Sequence, residues 1–362
     1  MKVGIDCRFY SSKPTGIGRY IYDLCSNLLD YKDLELVLFI NNDSPFLSEK
    51  KFDKCEKIII KEKIFSILGL ITLGKKIDDA DIDLFHATSF MIPFIKEKKY
   101  LTTIYDLIHI NTDEYGILYK IYYEIFVKRN LLKSDEIITI SKNSKKDIEN
   151  WIKRKDIHNI YLGVDKKFTQ GVGISDFFYK NELDINNYIL YVGNNRKTKN
   201  LRRLLEAYFF ARLEVENIPP LVLTCESDTY IDAYIQDHGL SENIKFVGNI
   251  SDNDLIFLYY YSTFFIFPSL YEGFGLPVLE AMSCGSPVAT SMVSSIPEIG
   301  GTSVMYFDPY NIKSIKDVIV EMVLSSELRE KFSLKGLEQA KKFNLSEMAN
   351  QTYKVYEKVF NK

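Results

Sequence analysis

The stretch FPSLYEGFGLPVLEAMSCGSPVATS, Phe267 to Ser291, decides the fold. An apolar run ends at Phe267, and a loop then carries Glu272, Gly273, Phe274 and Gly275. Leu276 and Pro277 are placed to open a helix through Glu280, Ala281 and Met282. A second apolar run follows from Pro287, so the segment reads as strand, helix, strand, the unit from which parallel sheets are wound. A glycine-rich turn feeding a helix bares backbone N–H groups beside the positive end of the helix dipole. Such a turn suits phosphate, or sugar hydroxyls bonded to neighbouring groups. Glu272 and Glu280 flank it.

Moving outward, the same alternation runs along the whole chain. The sequence predicts strands over 2–5, 34–40, 57–60, 84–86, 100–105, 136–140 and 159–161 in a first set, and over 188–192, 220–224, 244–247, 263–267, 287–290 and 303–307 in a second. Between the sets, 162–187 holds Gly163, Gly171 and Gly173 with no strong periodicity and reads as the linker. The fold expected is α/β, with two Rossmann-like doubly wound parallel-sheet domains facing across a cleft. The first domain takes 1–170 and the second 171–344. The tail from Leu345 has apolar residues at helical spacing and predicts one amphipathic helix, 345–362, closing onto the N-terminal domain. Ligands of doubly wound sheets gather beyond the carboxyl ends of the strands, where such loops collect.

Two further loops fall at those ends. In YVGNNRKTKNLRRLLEAY, Tyr191 to Tyr208, a strand ends at Gly193, Asn194 and Asn195 turn the chain, and Arg196 and Lys199 precede a helical pattern. Arginine can clamp a diphosphate bidentately while lysine acts as a point charge. In TGIGRY, Gly16 and Gly18 open a helix after the first strand and allow close backbone approach. A dinucleotide fingerprint is the rival reading of that loop. The loop before Gly16 is too long for it, and the third glycine position is Ile21.

Composition bounds the rest. The 362 residues, 46% hydrophobic, suffice for two buried cores, and 46 Lys plus Arg against 49 Asp plus Glu leave no global basic surface for nucleic acid. The N-terminus MKVGIDCRFY has too short an apolar stretch for a secretory signal, which predicts a cytoplasmic protein, and no run is long enough to span a bilayer. Five scattered cysteines without C-x-x-C predict buried free thiols, and four histidines with no helical pairing exclude a histidine zinc site. The D-x-D pair Asp81 and Asp83 precedes its strand, on the edge away from ligands, which argues against a metal-dependent transferase site.

Together TGIGRY, DLFHATSF, TIYDLIHI, ISKNSKKDI, YLGVD, YVGNNRKTKNL, FVGNIS, FPSLYEGFGLPVLEAMSCGSPVATS and SSIPEIGG resemble the family-four glycosyltransferases of the GT-B fold, in family order over nearly the whole chain. The resemblance implies retaining transfer of a sugar from a nucleotide-diphosphate donor held by the C-terminal domain to an acceptor held by the N-terminal one, without a metal or other cofactor. Carried onto this chain, Glu280 bonds the ribose, Arg196 and Lys199 the diphosphate, and Glu272 with the N–H groups of Phe274 and Gly275 the donor sugar. Gly273 and Leu276 belong to the same loop, Gly193 and Asn194 to the basic one. Gly16 and Gly18 close over the diphosphate, and Gly248 and Asn249 border the base. The GNNRKTKN form is similar to mannosyltransferases, which points to GDP-mannose.

In one place the chain departs from the pattern. Tyr105 stands where many family members carry a histidine before the Asp, which leaves Asp106, Tyr105, His109 or His86 as sugar or acceptor contacts. Residues 48–76 carry eight lysines against four acids, and 117–155 carry ten Lys plus Arg against five acids, both interleaved with apolar side chains. That mixture suits an anionic bilayer, and the expected acceptor is a saccharide or lipid-linked saccharide of surface polysaccharide assembly at the inner membrane face. A nucleotide-sugar 2-epimerase of the same fold and a silent nucleotide-binding scaffold are the alternatives.

Overall fold

The computed structural model describes residues 1–12, 15–168, 176–248 and 250–362, and the chain divides into two compact units, 1–163 with 343–362 and 164–342. Unit 1 runs β1 (Lys2–Asp6), α1 (Gly16–Leu28), β2 (Glu35–Asn41), β3 (Glu56–Ile60), α2 (Ile67–Asp79), β4 (Leu84–Ala87), β5 (Lys99–Thr103), α3 (Ile108–Asn111), α4 (Ile117–Tyr122), a π-helical turn Tyr123–Val127, α5 (Lys128–Lys133), β6 (Glu136–Thr139), α6 (Lys142–Ile152) and β7 (Ile157–Asn159). Unit 2 runs α7 (Asp176–Lys180), β8 (Ile189–Tyr191), α8 (Leu201–Glu214), β9 (Leu221–Leu223), α9 (Thr229–Asp237), β10 (Ile244–Phe246), α10 (Asp252–Tyr260), β11 (Phe264–Phe267), α11 (Leu276–Ser283), β12 (Val288–Ser291), α12 (Ile296–Gly300), β13 (Met305–Phe307), α13 (Ile312–Leu324) and α14 (Ser326–Ala340). The chain ends in α15 (Leu345–Phe360), over the residues its periodicity predicts, and α15 belongs to unit 1.

Every strand pairing is parallel. The unit 1 sheet has seven strands in the order β3-β2-β1-β4-β5-β6-β7, and the unit 2 sheet has six in the order β10-β9-β8-β11-β12-β13. In each sheet the winding reverses once, between β1 and β4 in unit 1 and between β8 and β11 in unit 2. The loops leaving those pairs diverge and open a crevice. The sheets are covered on both faces, which is why the strands read as near-continuous apolar runs: Leu36 to Ile40, Ile189 to Tyr191 and Phe264 to Phe267 are all buried. Helices begin where sequence caps them, as at Ser141, Asp228, Ser251 and Asn344, whose side chains accept from backbone N–H groups of the following turn.

Two aromatic side chains among the described residues of the segment read as a linker are buried. Phe168 is buried against Tyr259 of unit 2, Phe178 packs on Tyr188 and Tyr261, and Ser283 donates to the carbonyl of Phe168. Gly171 and Gly173 of that segment lie outside the described residues.

α15 packs on α1, β4 and β5 through Met348, Ala349, Thr352, Val355, Tyr356 and Val359. Its far end is tied by charge: Lys358 and Lys362 reach the buried Glu136 carboxylate at 2.9 and 2.7 Å, and His158 at 2.7 Å holds the other oxygen. Burial alone would raise Glu136, but these three partners hold it down at about 2. Asp81 and Asp83 sit at the amino edge of the unit 1 sheet, as their position predicts, and bond the side chain and the backbone N–H of Lys2.

Candidate functional site

The switch point of unit 2 assembles two of the singled-out loops. After β8 the chain turns through Gly193, whose N–H donates to Thr224 Oγ1 at 3.2 Å, and Asn194, whose carbonyl accepts from Tyr191 at 2.7 Å while its side-chain oxygen accepts from the N–H of Arg196. A short 3₁₀ turn, Lys197–Lys199, then leads into α8 through Asn200, at φ 59°. Asn200 donates from its amide to the carbonyls of Pro268 and Pro309, and the N–H of Leu270 donates to Thr198, so the basic loop is stitched to the loop leaving β11.

That stitching brings Lys199 Nζ to 2.6 Å from Glu272 Oε1 and 5.1 Å from the centre of the Phe267 ring. The side chains are 20% and 13% exposed, so the pair is held partly out of water yet open on one side. Arg196 is exposed on the same loop. The 268–275 loop is fixed from below by serines: Ser294 accepts from the N–H of Glu272, and Ser295 donates to the carbonyls of Glu272 and Phe274. Gly273 and Phe274 are buried, and Gly275 takes φ 108° as the residue before α11, where a side chain would be strained. No side chain caps α11, which begins at Leu276, so no capping hydroxyl or carboxylate offsets the positive end of its dipole.

Glu280 lies beyond the glycine loop, within α11. It is the fifth residue of α11, and its carboxylate is nearly buried, accepting from Tyr259 at 3.2 Å. The helix starts at Leu276 because Gly275 is left-handed, and this sets Glu280 one turn deeper. A cavity of about 600 Å³ adjoins the basic loop, lined by Gly193, Asn194, Asn195, Thr224, Cys225, Glu226 and Ser227. The last four follow β9 and were missed from sequence. Their signal was the polar run TCESDT at a strand's carboxyl end. Gly248 follows β10 at φ 64°, and Asn249 lies outside the described residues.

Unit 1 distributes its candidates unevenly. Gly16 opens α1 and is exposed, whereas Gly18 is buried in the first turn. His86 is fully buried in β4, with its two nitrogens 2.7 Å from Tyr356 of α15 and 2.7 Å from Thr103. Burial pushes it down to about 3. One ring nitrogen meets α15 and the other β5, so the expectation of a sugar contact there gives way to a structural clamp. Tyr105 is half-buried and donates to the carbonyl of Thr88 at 2.9 Å, and Asp106 accepts from the N–H of Ile108. His109 is half-buried, 2.8 Å from the hydroxyl of Tyr123 and ringed by Phe90, Tyr115 and Tyr119. Sequence reasoning also missed Arg8, two residues past Asp6 at the end of β1. The two form a buried bidentate pair, with both nitrogen–oxygen distances 2.8 Å. An acid and a base spaced i, i+2 at the close of an otherwise apolar strand were the available signal.

Two doubly wound parallel-sheet units define the GT-B class. Residues 175–339 match the family described as glycosyl transferases group 1, and residues 14–168 match glycosyltransferase family 4. The chain belongs to the family-four glycosyltransferases. It is 28% identical to O-antigen chain mannosyltransferase B of Escherichia coli over 94% of this chain and 96% of that one. It is 33% identical to the serotype-specific mannosyltransferase WbdA of Escherichia coli over 45% of this chain, a match spanning 21% of that longer relative. The fold is shared with sucrose-phosphate synthase from Thermosynechococcus elongatus, at a TM-score of 0.81, 18% identity, and coverage of 100% of this chain and 99% of that one.

Proposed function

We propose that unit 2 binds a nucleoside-diphosphate hexose, GDP-mannose, between the loops leaving β8 and β11, and that the enzyme transfers the hexose with retention to a saccharide or lipid-linked saccharide of surface polysaccharide synthesis. The observation that carries this reading is the Lys199–Glu272 pair at the switch point, 2.6 Å apart beside the uncapped start of α11. Departure of a nucleoside diphosphate develops negative charge. Lys199, Arg196 and the α11 dipole are fixed positive groups that stabilise that charge as it forms, with little reorganisation. Glu272 orients Lys199 and, with the N–H groups of Phe274 and Gly275, receives the hydroxyls of the donor sugar. Glu280, deeper on α11, takes the ribose. The mannosyltransferase names of the relatives support the choice of sugar.

Apolar side chains lie exposed in unit 1: Ile67, Leu68 and Ile71 on α2, and Ile117, Leu118 and Ile121 on α4. With the flanking lysines they support docking on an anionic membrane surface, where a lipid-linked acceptor is presented. No helix among the described residues is long and apolar enough to cross a membrane.

The test is thermal stabilisation of the protein by GDP, UDP, dTDP and ADP, with and without magnesium, because a ligand that binds only the native state stabilises it by mass action. A shift with GDP, equal in both conditions, is the expected result. A shift with UDP alone would overturn the donor assignment, and no shift with any would remove the diphosphate site.

A further inference from the structure

The turn after β12 holds a serine in a conformation that serine rarely takes. Val293 to Ile296 close on a bond of 3.1 Å from the N–H of Ile296 to the carbonyl of Val293. The two central residues are Ser294, at φ 46°, and Ser295, at φ −80° and ψ −14°. A positive φ at the first central position followed by a negative one at the second marks a type II′ turn, whose first position glycine ordinarily fills. A side chain there works against the backbone, so its presence calls for a compensating contact.

That contact is with Glu272. Ser294 Oγ accepts from the N–H of Glu272 at 2.9 Å, and Ser295 Oγ donates to the carbonyls of Glu272 and Phe274 at 2.8 and 2.9 Å. Both peptide groups flanking the Glu272 Cα are therefore gripped, while Lys199 holds the carboxylate at 2.6 Å. Glu272 lies in neither helix nor strand, so these side-chain bonds do what a ladder of backbone bonds does elsewhere. The other side of the pair is built alike: Asn200, next to Lys199, takes φ 59°, and its amide donates to the carbonyls of Pro268 and Pro309. Asparagine enters the left-handed region readily and serine does not, which makes Ser294 the more strained of the two.

We propose that Ser294 is a positioning residue for the transfer step: its strained backbone is kept because its hydroxyl holds the Glu272 main chain, and with it the carboxylate, where the donor sugar is received. This rests on the transferase reading, in which Glu272 meets that sugar. A displacement of about 1 Å in a positioned group costs on the order of a hundredfold in rate. Binding of the nucleoside diphosphate depends instead on Lys199 and Arg196, which belong to another loop. Glycine at position 294 relaxes the turn but removes the acceptor, so it separates stability from positioning. Asparagine tolerates the positive φ and returns an acceptor oxygen.

The experiment compares the full-length wild type, Ser294→Gly and Ser294→Asn. The readouts are hydrogen–deuterium exchange of the 268–275 loop, melting temperature with and without GDP, and steady-state release of GDP from GDP-mannose. Ser294→Gly should speed loop exchange about tenfold and lower kcat about tenfold or more, with KM, the GDP shift and the melting temperature close to wild type. Ser294→Asn should recover most of both losses. Loop exchange unchanged by Ser294→Gly would overturn the assignment, and so would faster exchange with kcat unchanged. If Ser294→Gly loosens the loop while the wild type releases no GDP from GDP-mannose, the donor reading fails and the hold of Ser294 on Glu272 stands.

Discussion

Lys199 and Glu272 lie 73 positions apart in sequence and 2.6 Å apart in space, and their pairing sets what each can do. Lys199→Ala removes a fixed cation from the diphosphate and should weaken GDP binding about tenfold or more by calorimetry, as should Arg196→Ala. Glu272→Ala should abolish transfer in a radiolabelled-sugar assay while costing GDP affinity much less. Unchanged GDP affinity in both basic variants would remove the leaving-group site. His86 makes a different prediction. Its ordinary value is 6.5 and burial holds it at about 3. Above pH 6.5 the ring is neutral in both folded and unfolded chains. Below it, the unfolded chain takes up a proton that the folded chain refuses, so stability falls with pH by at most about 1.4 kcal/mol per unit. Denaturant titrations between pH 7 and 5, on the order of the ordinary imidazole range, should show that decline, and His86→Gln should flatten it.

At the level of elements, α15 is the clearest case of sequence and structure agreeing for separable reasons. Its helical spacing is local, but its seat is built by distant parts. Gly163 runs against the backbone of Leu345 so closely that a Cβ would collide with it. Gly163→Ala should therefore cost about 1 to 3 kcal/mol in chemical denaturation, even though 162–187 read as a permissive linker. The other anchor is Glu136. Its carboxyl is held at about 2, against an ordinary 4.5, by Lys362, Lys358 and His158 acting against burial. The stabilisation is complete above 4.5 and is lost as pH falls from there toward 2. Glu136→Gln should lower the melting temperature at neutral pH and shrink the difference from wild type below pH 4.5, on the order of the unperturbed carboxylate value.

For the whole molecule, unit 1 is completed by the last residues of the chain. Each of the larger buried α15 side chains, Met348, Val355, Tyr356 and Val359, stabilises by about 1.5 to 3 kcal/mol, so the helix supplies a share comparable to the roughly 5 to 15 kcal/mol net stability of a domain. Ending the chain at Lys342 should therefore lose the unit 1 transition in scanning calorimetry while a unit 2 transition, and its stabilisation by GDP, survive. A single retained transition of full enthalpy would show that α15 is dispensable.

The sequence by itself determined the order of strands and helices, the two parallel sheets and the loops worth watching, because strand burial on both faces, glycine turns and helix periodicity are local properties written in consecutive residues. It also marked Glu272, Lys199 and Gly275, whose chemistry is visible in the residue type. Tertiary structure alone decided which of these meet. It spent the two nitrogens of His86 on Tyr356 of α15 and Thr103 of β5, set Glu280 against Tyr259, and seated Phe168 and Phe178 of the segment read as a linker in aromatic contacts. It also left Arg8 Nη1, after β1, and Glu62 Oε2, after β3, buried without a hydrogen-bond partner. Hydrogen-bond saturation depends on neighbours brought together from remote parts of the chain, and no single stretch of sequence encodes that sum.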